Sequence, residues 1–430
     1  MSHVHVGLAA NTSSVTDNSV ECRDLIIRFV EKAVSETAIV RGIRLGVAAA
    51  GIKRPGRDDL LVIEADEGSV VAAVFTRNAF CAAPVTVAKD NLNSAPRWLL
   101  INSGNANAGT GVRGLSDARE TCSQLSSLTG GDGDQVLPFS TGVIGEYLPV
   151  PKIAEALPRA LADLAETGWE KGSRAIMTTD TCPKMASHQF MIDGTPVRIV
   201  GIAKGAGMIH PNMATMLSFI ATDALVERDV LQELLASAVE KSFNCITVDG
   251  DTSTNDACVL IASGKSSARA LRPGVEGWDA LRDGVQTVCD SLAEAIIRDG
   301  EGATKFIRVA VESARSFEEA RNVGKTVAHS PLVKTAFFAS DPNWGRILAA
   351  VGRAECPDLD IGAVSIWLGD AQIVANGERA SDYTEQAGQA EMAKSDITIR
   401  INLGRGTAEA AVMTCDFSYD YVRINAEYRT

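Results

Sequence analysis

Two apolar periodicities are mixed in this chain with no fixed order between them, and that mixture limits the folds open to it. From Gly42 onward the sequence is rich in Gly and Ala, and short apolar runs alternate with turn residues. Trp98–Ile101 and Val197–Ile202 are compact apolar runs, the pattern of buried strands. Ile397, Ile399, Ile401 and Leu403 alternate strictly, and Gly404-Arg405-Gly406 turns the chain into Thr407–Thr414, so a β-hairpin is predicted there. Helical spacing appears elsewhere. Across Trp278–Ile297, residues Trp278, Leu281, Val285, Val288, Leu292 and Ile296 step by three or four, and Asp299-Gly300 supplies a stop. Val230–Phe243 reads as a second helix. A doubly wound sheet needs strand and helix to alternate regularly, which they do not here. The predicted fold is therefore a layered α/β sandwich, not a Rossmann sheet.

Length and charge narrow the function. With 430 residues, 46% of them hydrophobic and 22% charged, the chain is neither disordered nor fibrous. Its 41 Lys and Arg against 54 Asp and Glu leave a net charge of −13, which gives little attraction to phosphate backbones or anionic lipid. No nucleic-acid or membrane partner is expected, and no apolar window approaches the length of a membrane span. The nine cysteines are scattered and never form CxxC, as in a reducing, cytoplasmic setting. The histidines show no metal-ligand spacing, so no metal site is expected. Residues 1–41 read as an extension ahead of the main domain. It carries a short amphipathic helix over Val20–Glu36 and has neither a secretory nor a transit-peptide pattern.

Three Gly-rich stretches approach a phosphate loop and fail it. Gly46–Gly51 is followed by Ile52 before Lys53, Gly324-Lys325-Thr326 has Glu319 where the first Gly belongs, and Asn102–Thr110 has no Lys. Tight turns and close packing account for such glycines. Asp249-Gly-Asp251-Thr-Ser-Thr-Asn-Asp256 has two readings. Its carboxylates can hold Mg²⁺, or they can accept backbone N–H bonds in a buried turn.

The densest segment is Lys204–Phe219, KGAGMIHPNMATMLSF. Two Gly bend it, Pro211 restricts it, and small Ala214 precedes a lone Thr215. A Thr hydroxyl is a poor nucleophile unless a base lies beside it. One solution is the nucleophile's own α-amino group, freed by cleavage of the preceding peptide bond. An amine of pKa about 8 suits neutral pH. The plain alternative is a Thr that starts a helix or strand.

The same segment resembles the signature of the ornithine acetyltransferases, the self-cleaving glutamate N-acetyltransferases of the cyclic arginine pathway. Further stretches resemble that family in the family's order. They include GVAAAGIKRPGRDDL at Gly46, VFTRNAFCAAPV at Val74, INSGNANAGTG at Ile101, STGVIG at Ser140 and AIMTTDTCPK at Ala175. DGDTSTNDA at Asp249, DGEGATK at Asp299, VGKTVAHSPLVKTA at Val323, DPNWGR at Asp341 and YVRINAEYRT at Tyr421 follow. The likeness covers residues 42–430. His210 and Cys182 depart from the family's common residues, and His210 lies close enough in sequence to Thr215 to bear on the site.

The resemblance implies a cut between Ala214 and Thr215. That gives an α chain ending at 214 and a β chain, 215–430, headed by the nucleophile Thr215. Acetyl would pass from N2-acetyl-L-ornithine to Thr215 and then to L-glutamate, with Thr141 and Gly142 as the oxyanion hole. Thr181, Lys204, Thr215, Glu301, Asn425 and Thr430 would contact substrate. Lys204 suits a shared α-carboxylate and Glu301 an ornithine δ-ammonium. No cofactor is implied, although some family members take acetyl-CoA as co-substrate. A heterotetramer of two α and two β chains is expected. Other readings are a self-cleaving amidohydrolase or aminopeptidase, which would pass the acyl group to water, and a non-catalytic phosphate-binding protein.

Overall fold

Side chains alternate between the two faces of a strand, so a sheet that is apolar on both faces must be covered twice. The structure, a computed structural model, describes residues 39–210, 216–266 and 269–427, and two of its sheets are of this kind. One orders four strands as Ile43–Ala48, Leu60–Ala65, Trp98–Asn105 and Val136–Val143. The other orders five as Val70–Phe75, Ala257–Ala262, Leu217–Thr222, Thr195–Lys204 and Lys184–Ile192. Leu61, Ile63, Leu99, Ile101 and Phe139 of the first pack against Val200, Ile202, Phe219, Val259 and Ile261 of the second. Phe139 and Phe219 meet edge to face, with ring centres 5.1 Å apart.

The intervening residues face outward in both sheets and are also apolar. Leu60, Val62, Leu100 and Val136 lie under the helices Gly111–Thr129 and Val150–Ala162. Val197, Ile199, Ile220 and Leu260 lie under Arg228–Lys241 and Trp278–Arg298. The result is four layers in the order helix, sheet, sheet, helix. Burial of one such aliphatic side chain is worth about 1.5–3 kcal/mol, so two facing rows of them outweigh any local turn preference. This is the layered α/β sandwich expected from the mixed periodicities. A third, six-stranded sheet has its own core with the helices Phe317–Ala328, Pro331–Phe338 and Trp344–Gly352.

The two strands predicted in the first paragraph extend to Trp98–Asn105 and Thr195–Lys204, and the long helix runs Trp278–Arg298. The second helix is Arg228–Lys241, and a separate short turn of 3₁₀ helix covers Phe243–Cys245. The predicted hairpin does not form. Its two arms are strands, Asp396–Asn402 and Ala408–Cys415, but Phe306–Ala314 lies between them, parallel to the first and antiparallel to the second. The Gly404–Gly406 turn instead wraps the end of that central strand, where the Arg405 and Gly406 N–H groups donate to the Ser313 carbonyl. The helix expected over Val20–Glu36 lies outside the described residues. Among the described residues no helix is long and apolar enough to cross a membrane.

The strands Thr195–Lys204 and Leu217–Thr222 are antiparallel neighbours, with Lys204 opposite Leu217. Val70–Phe75 pairs along its length with Ala257–Ala262. The five-stranded sheet therefore takes strands from both sides of position 214, so a cut there divides chains and not folding units.

Candidate active site

The ends of strands from both sheets converge on one cleft of about 250 Å³ with a mixed polar and apolar lining. Thr141 and Gly142 come from the end of Val136–Val143, and Lys204 is the last residue of its strand. Met216 leads into the next strand, and Asn255 and Asp256 lead into Ala257–Ala262. Glu301 follows the long helix, and Asn425 comes from the terminal helix Tyr419–Ala426. Thr141, Gly142, Lys204, Glu301 and Asn425, singled out from sequence, thus share one wall system. Ala214, Thr215 and Thr430 lie outside the described residues.

The geometry of these residues is tightly held. Gly142 has φ +136°, and a Cβ there would lie 2.3 Å from the Gly104 carbonyl carbon, so only glycine fits. The Lys204 ammonium donates to Thr141 Oγ1 at 3.3 Å. The Glu301 carboxylate accepts from Asn425 Nδ2 at 2.9 Å, and the Glu301 N–H donates to the Ala206 carbonyl at 2.8 Å. A Cβ at Gly207 would lie 2.3 Å from the Glu301 carboxyl, so the small residue gives that side chain its place.

Thr181 is placed differently from its neighbours. It is exposed, its N–H donates to Asp299 at 3.0 Å and its hydroxyl to the same carboxylate, while Thr178 and Thr179 line the cleft. Behind them lies a buried ionic cluster. Lys184 Nζ donates to Asp180 at 2.7 Å and to Asp299 at 2.6 Å, and Asp180 also accepts the N–H of Gly205 and of Thr178. Sequence reading missed this cluster, since nothing local marks a lysine for burial.

In the loop Asp249–Asp256, Asp249 behaves as the buried-turn reading expects, while Asp251 is exposed. The Asp249 carboxylate accepts the N–H groups of Met208, Ile209 and Asp251, and no cluster of metal-ligating residues is found among the described residues. Burial pushes the Asp249 carboxyl up, and those N–H donors oppose it. The same loop carries Ser253, Thr254, Asn255 and Asp256 into the cleft wall, a role its hydroxyl-rich composition could have suggested. Asp256 is 3% exposed, and its Oδ2 has no partner among the described residues. Burial pushes its carboxyl well above the usual range, against a Ser253 hydrogen bond and the Lys204 charge. His210 does not line the cleft. Its ring packs edge to face on His329 at 4.2 Å, and burial, with Lys325 nearby, lowers its pKa to about 4.

The four layers thus carry, at the strand ends, a cleft walled by hydroxyl, amide, apolar and oppositely charged side chains. The chain belongs to the ArgJ family, whose model matches residues 44–430. A Methylococcus capsulatus protein named arginine biosynthesis bifunctional protein ArgJ is 66% identical over 391 residues, spanning 91% of this chain and 96% of its own length. A Pseudomonas fluorescens protein of the same name is 58% identical over 392 residues, 91% of this chain and 97% of its own. Among solved structures, a Bacillus halodurans arginine biosynthesis bifunctional protein argJ is 41% identical. It covers 49% of this chain and 99% of its own, with a TM-score of 0.48. An ornithine acetyltransferase of Mycobacterium tuberculosis, complexed with ornithine, is 30% identical. It covers 41% of this chain and 96% of its own, with a TM-score of 0.36.

Proposed function

We propose that the chain is a glutamate N-acetyltransferase of arginine biosynthesis, moving acetyl from N2-acetyl-L-ornithine to L-glutamate through an acetyl-Thr215 intermediate. One observation carries the reading. Thr141, Gly142, Lys204, Glu301 and Asn425, from separate stretches of chain, share a cleft with Met216, the residue after Thr215.

The chemistry follows from the groups. Cleavage of the Ala214–Thr215 bond gives Thr215 a free α-amine, which takes the hydroxyl proton as Oγ attacks the acetyl carbonyl. Thr141 and Gly142 stabilise the oxyanion, and the tetrahedral species collapses as the ornithine amine leaves with that proton. The glutamate amine then attacks the Thr215 ester, its proton returns through the α-amine, and Oγ is regenerated. Lys204 pairs with the α-carboxylate common to both substrates. Glu301, oriented by Asn425, pairs with the δ-ammonium of the donor. Thr181 acts through Asp299, and Thr430 is read as a further substrate contact at the chain end. The reaction calls on no cofactor, and acetyl-CoA is read as a second acetyl donor. The two chains are read as a cytoplasmic heterotetramer of two α and two β.

Incubation with N2-acetyl-L-ornithine alone is expected to add one acetyl group, about 42 Da, to the β chain, because covalent catalysis stores the acyl group on the enzyme. Initial rates against both substrates are expected to give parallel lines. Intersecting lines would replace the acetyl-enzyme with a ternary complex, and acetate release without an amine acceptor would point to the amidohydrolase alternative. Asn425→Ala is expected to raise KM for N2-acetyl-L-ornithine about tenfold, equivalent to about 1.4 kcal/mol. Self-cleavage should stay largely intact, since it depends on Thr215 and the oxyanion donors and not on the hydrogen bond that Asn425 gives Glu301. An unchanged KM would remove Asn425 from the site.

A further inference from the structure

We infer that the enzyme has two side-chain compartments of different charge, and that the more basic one, lined by Lys53, Arg54 and Arg57, takes the γ-carboxylate of the acceptor L-glutamate. The inference rests on the transacetylase reading above. A recess of about 200 Å³ adjoins the cleft and shares the wall residues Gly142, Val143, Thr178 and Thr179 with it. The two differ in charge. The cleft holds Lys204 and Glu301, the latter only 7% exposed, whereas the recess gathers three exposed cations, Lys53, Arg54 and Arg57, against two carboxylates, Asp59 and Glu427.

Lys53, Arg54 and Arg57 are exposed, and the loop that carries them is held at its ends. The Asp59 carboxylate accepts the N–H groups of Ala50 and Ile52, each at 2.6 Å, and fixes the start of the loop. The Lys152 ammonium donates to the Gly51 carbonyl at 2.7 Å. The Arg57 guanidinium donates to the Met177 carbonyl, one residue before Thr178, which ties the loop to the shared wall. A Cβ at Gly104 would stand 3.0 Å from Lys53 Cβ, so the loop lies directly on the strand that leads into the site. Of the two carboxylates that line the recess against these cations, Asp59 and Glu427, the first is held by N–H donors on both oxygens.

Substrate chemistry needs such a division. Donor and acceptor share an α-carboxylate and an α-nitrogen, and their far ends have opposite charge. A γ-carboxylate placed against Glu301 would meet a like charge where water screens poorly. A donor δ-ammonium placed among Lys53, Arg54 and Arg57 would also meet like charge, at a smaller cost because these side chains are exposed to water. Two compartments beside one α-site let a ping-pong enzyme accept both without rearranging.

The test uses the full-length enzyme with Arg54→Ala, Arg57→Ala, Arg54→Glu and Arg54→Lys. In ping-pong kinetics each substrate's kcat/KM reports its own half-reaction, and L-glutamine serves as the uncharged acceptor. The alanine variants are expected to lose about tenfold or more in kcat/KM for L-glutamate, the scale of a hydrogen bond to a charged group. Values for N2-acetyl-L-ornithine should hold within about twofold on the same scale. The preference for L-glutamate over L-glutamine should narrow by the same factor as the glutamate loss, most in Arg54→Glu, and Arg54→Lys should keep most of it. Equal losses for both substrates would overturn the inference, because the recess would then hold a shared group. An unchanged glutamate-to-glutamine preference would overturn it too. Absence of acetyl-enzyme in the unsubstituted protein would instead remove the transacetylase reading on which the inference stands.

Discussion

A Thr215→Ala protein is expected to run as one chain of 45.4 kDa and to show no transacetylation. The unsubstituted protein should give two fragments of 214 and 430 − 214 = 216 residues, the second beginning Thr-Met-Leu-Ser. Loss of a covalent nucleophile costs on the order of 10⁶ in kcat. Thr215→Ser, which keeps a hydroxyl and an α-nitrogen, should still cleave. The surroundings of the cut explain why product and precursor would share a fold. On one side, Met208 and Ile209 N–H groups are held by Asp249, and the His210 carbonyl accepts from Thr252 Oγ1 at 3.2 Å. On the other, the Met216 carbonyl accepts the Ala257 N–H at 3.0 Å, and Leu217 already pairs in the sheet. The two fragments should also co-purify, because Val70–Phe75 stays paired with Ala257–Ala262 across the cut. SDS gels and N-terminal sequencing check all of this, and a Thr215→Ala protein that still cleaves would sink the nucleophile assignment.

The layers were legible because they rest on periodicity, and periodicity reports which face a residue takes. Trp98–Ile101, Val197–Ile202 and Trp278–Ile297 each appear within longer elements of the predicted type. Pairing is a different matter. The alternation of Ile397, Ile399 and Ile401 marks a strand with one buried face, yet it cannot choose a neighbour, and Ile307, Val309 and Val311 offer the same face from far away in sequence. The short turn at Gly404–Gly406 suggested the nearer partner, and the core selected the distant one. At the site, the signal lay in the resemblance of whole motifs, and local residue types alone singled out neither Lys204 nor Glu301. Thr181 shows the limit. The three threonines of Thr178-Thr179-Asp180-Thr181 are chemically alike to a reader of sequence, and the place of Thr181 on the scaffold is set by Asp299, 118 residues away.

That scaffold carries the largest stability prediction. Lys184 is 1% exposed, and its ammonium is shared between Asp180 and Asp299. Removing it by Lys184→Met strands two buried carboxylates, and breaking a buried ion pair from one side costs about 3–5 kcal/mol. The triple variant Lys184→Met, Asp180→Asn, Asp299→Asn leaves no orphan charge and should regain part of that loss. The sign of the pH dependence follows from the two groups. Burial opposes the Asp180 charge, but Lys184, Lys204 and the hydrogen bonds from Lys184 and Thr178 outweigh it and hold the carboxyl below its ordinary range. Its contribution is present above about pH 4 and fades as pH falls. Burial likewise opposes the Lys184 charge, and Asp180 and Asp299 outweigh it and hold the ammonium above its ordinary range. Its contribution is present below about pH 10 and fades as pH rises. Stability from the cluster is therefore full across neutral pH. The gap between the native protein and Lys184→Met should be widest at neutral pH and narrow toward acid, where protonation relieves the stranded carboxylates. Activity should fall with stability, because Asp180 holds the N–H of Gly205 beside Lys204 and of Thr178 in the cleft wall. Denaturant unfolding of the three proteins at neutral and acid pH makes the comparison. A Lys184→Met protein as stable as the native one at neutral pH would mean that the carboxylates find other partners and that the cluster does not anchor the cleft.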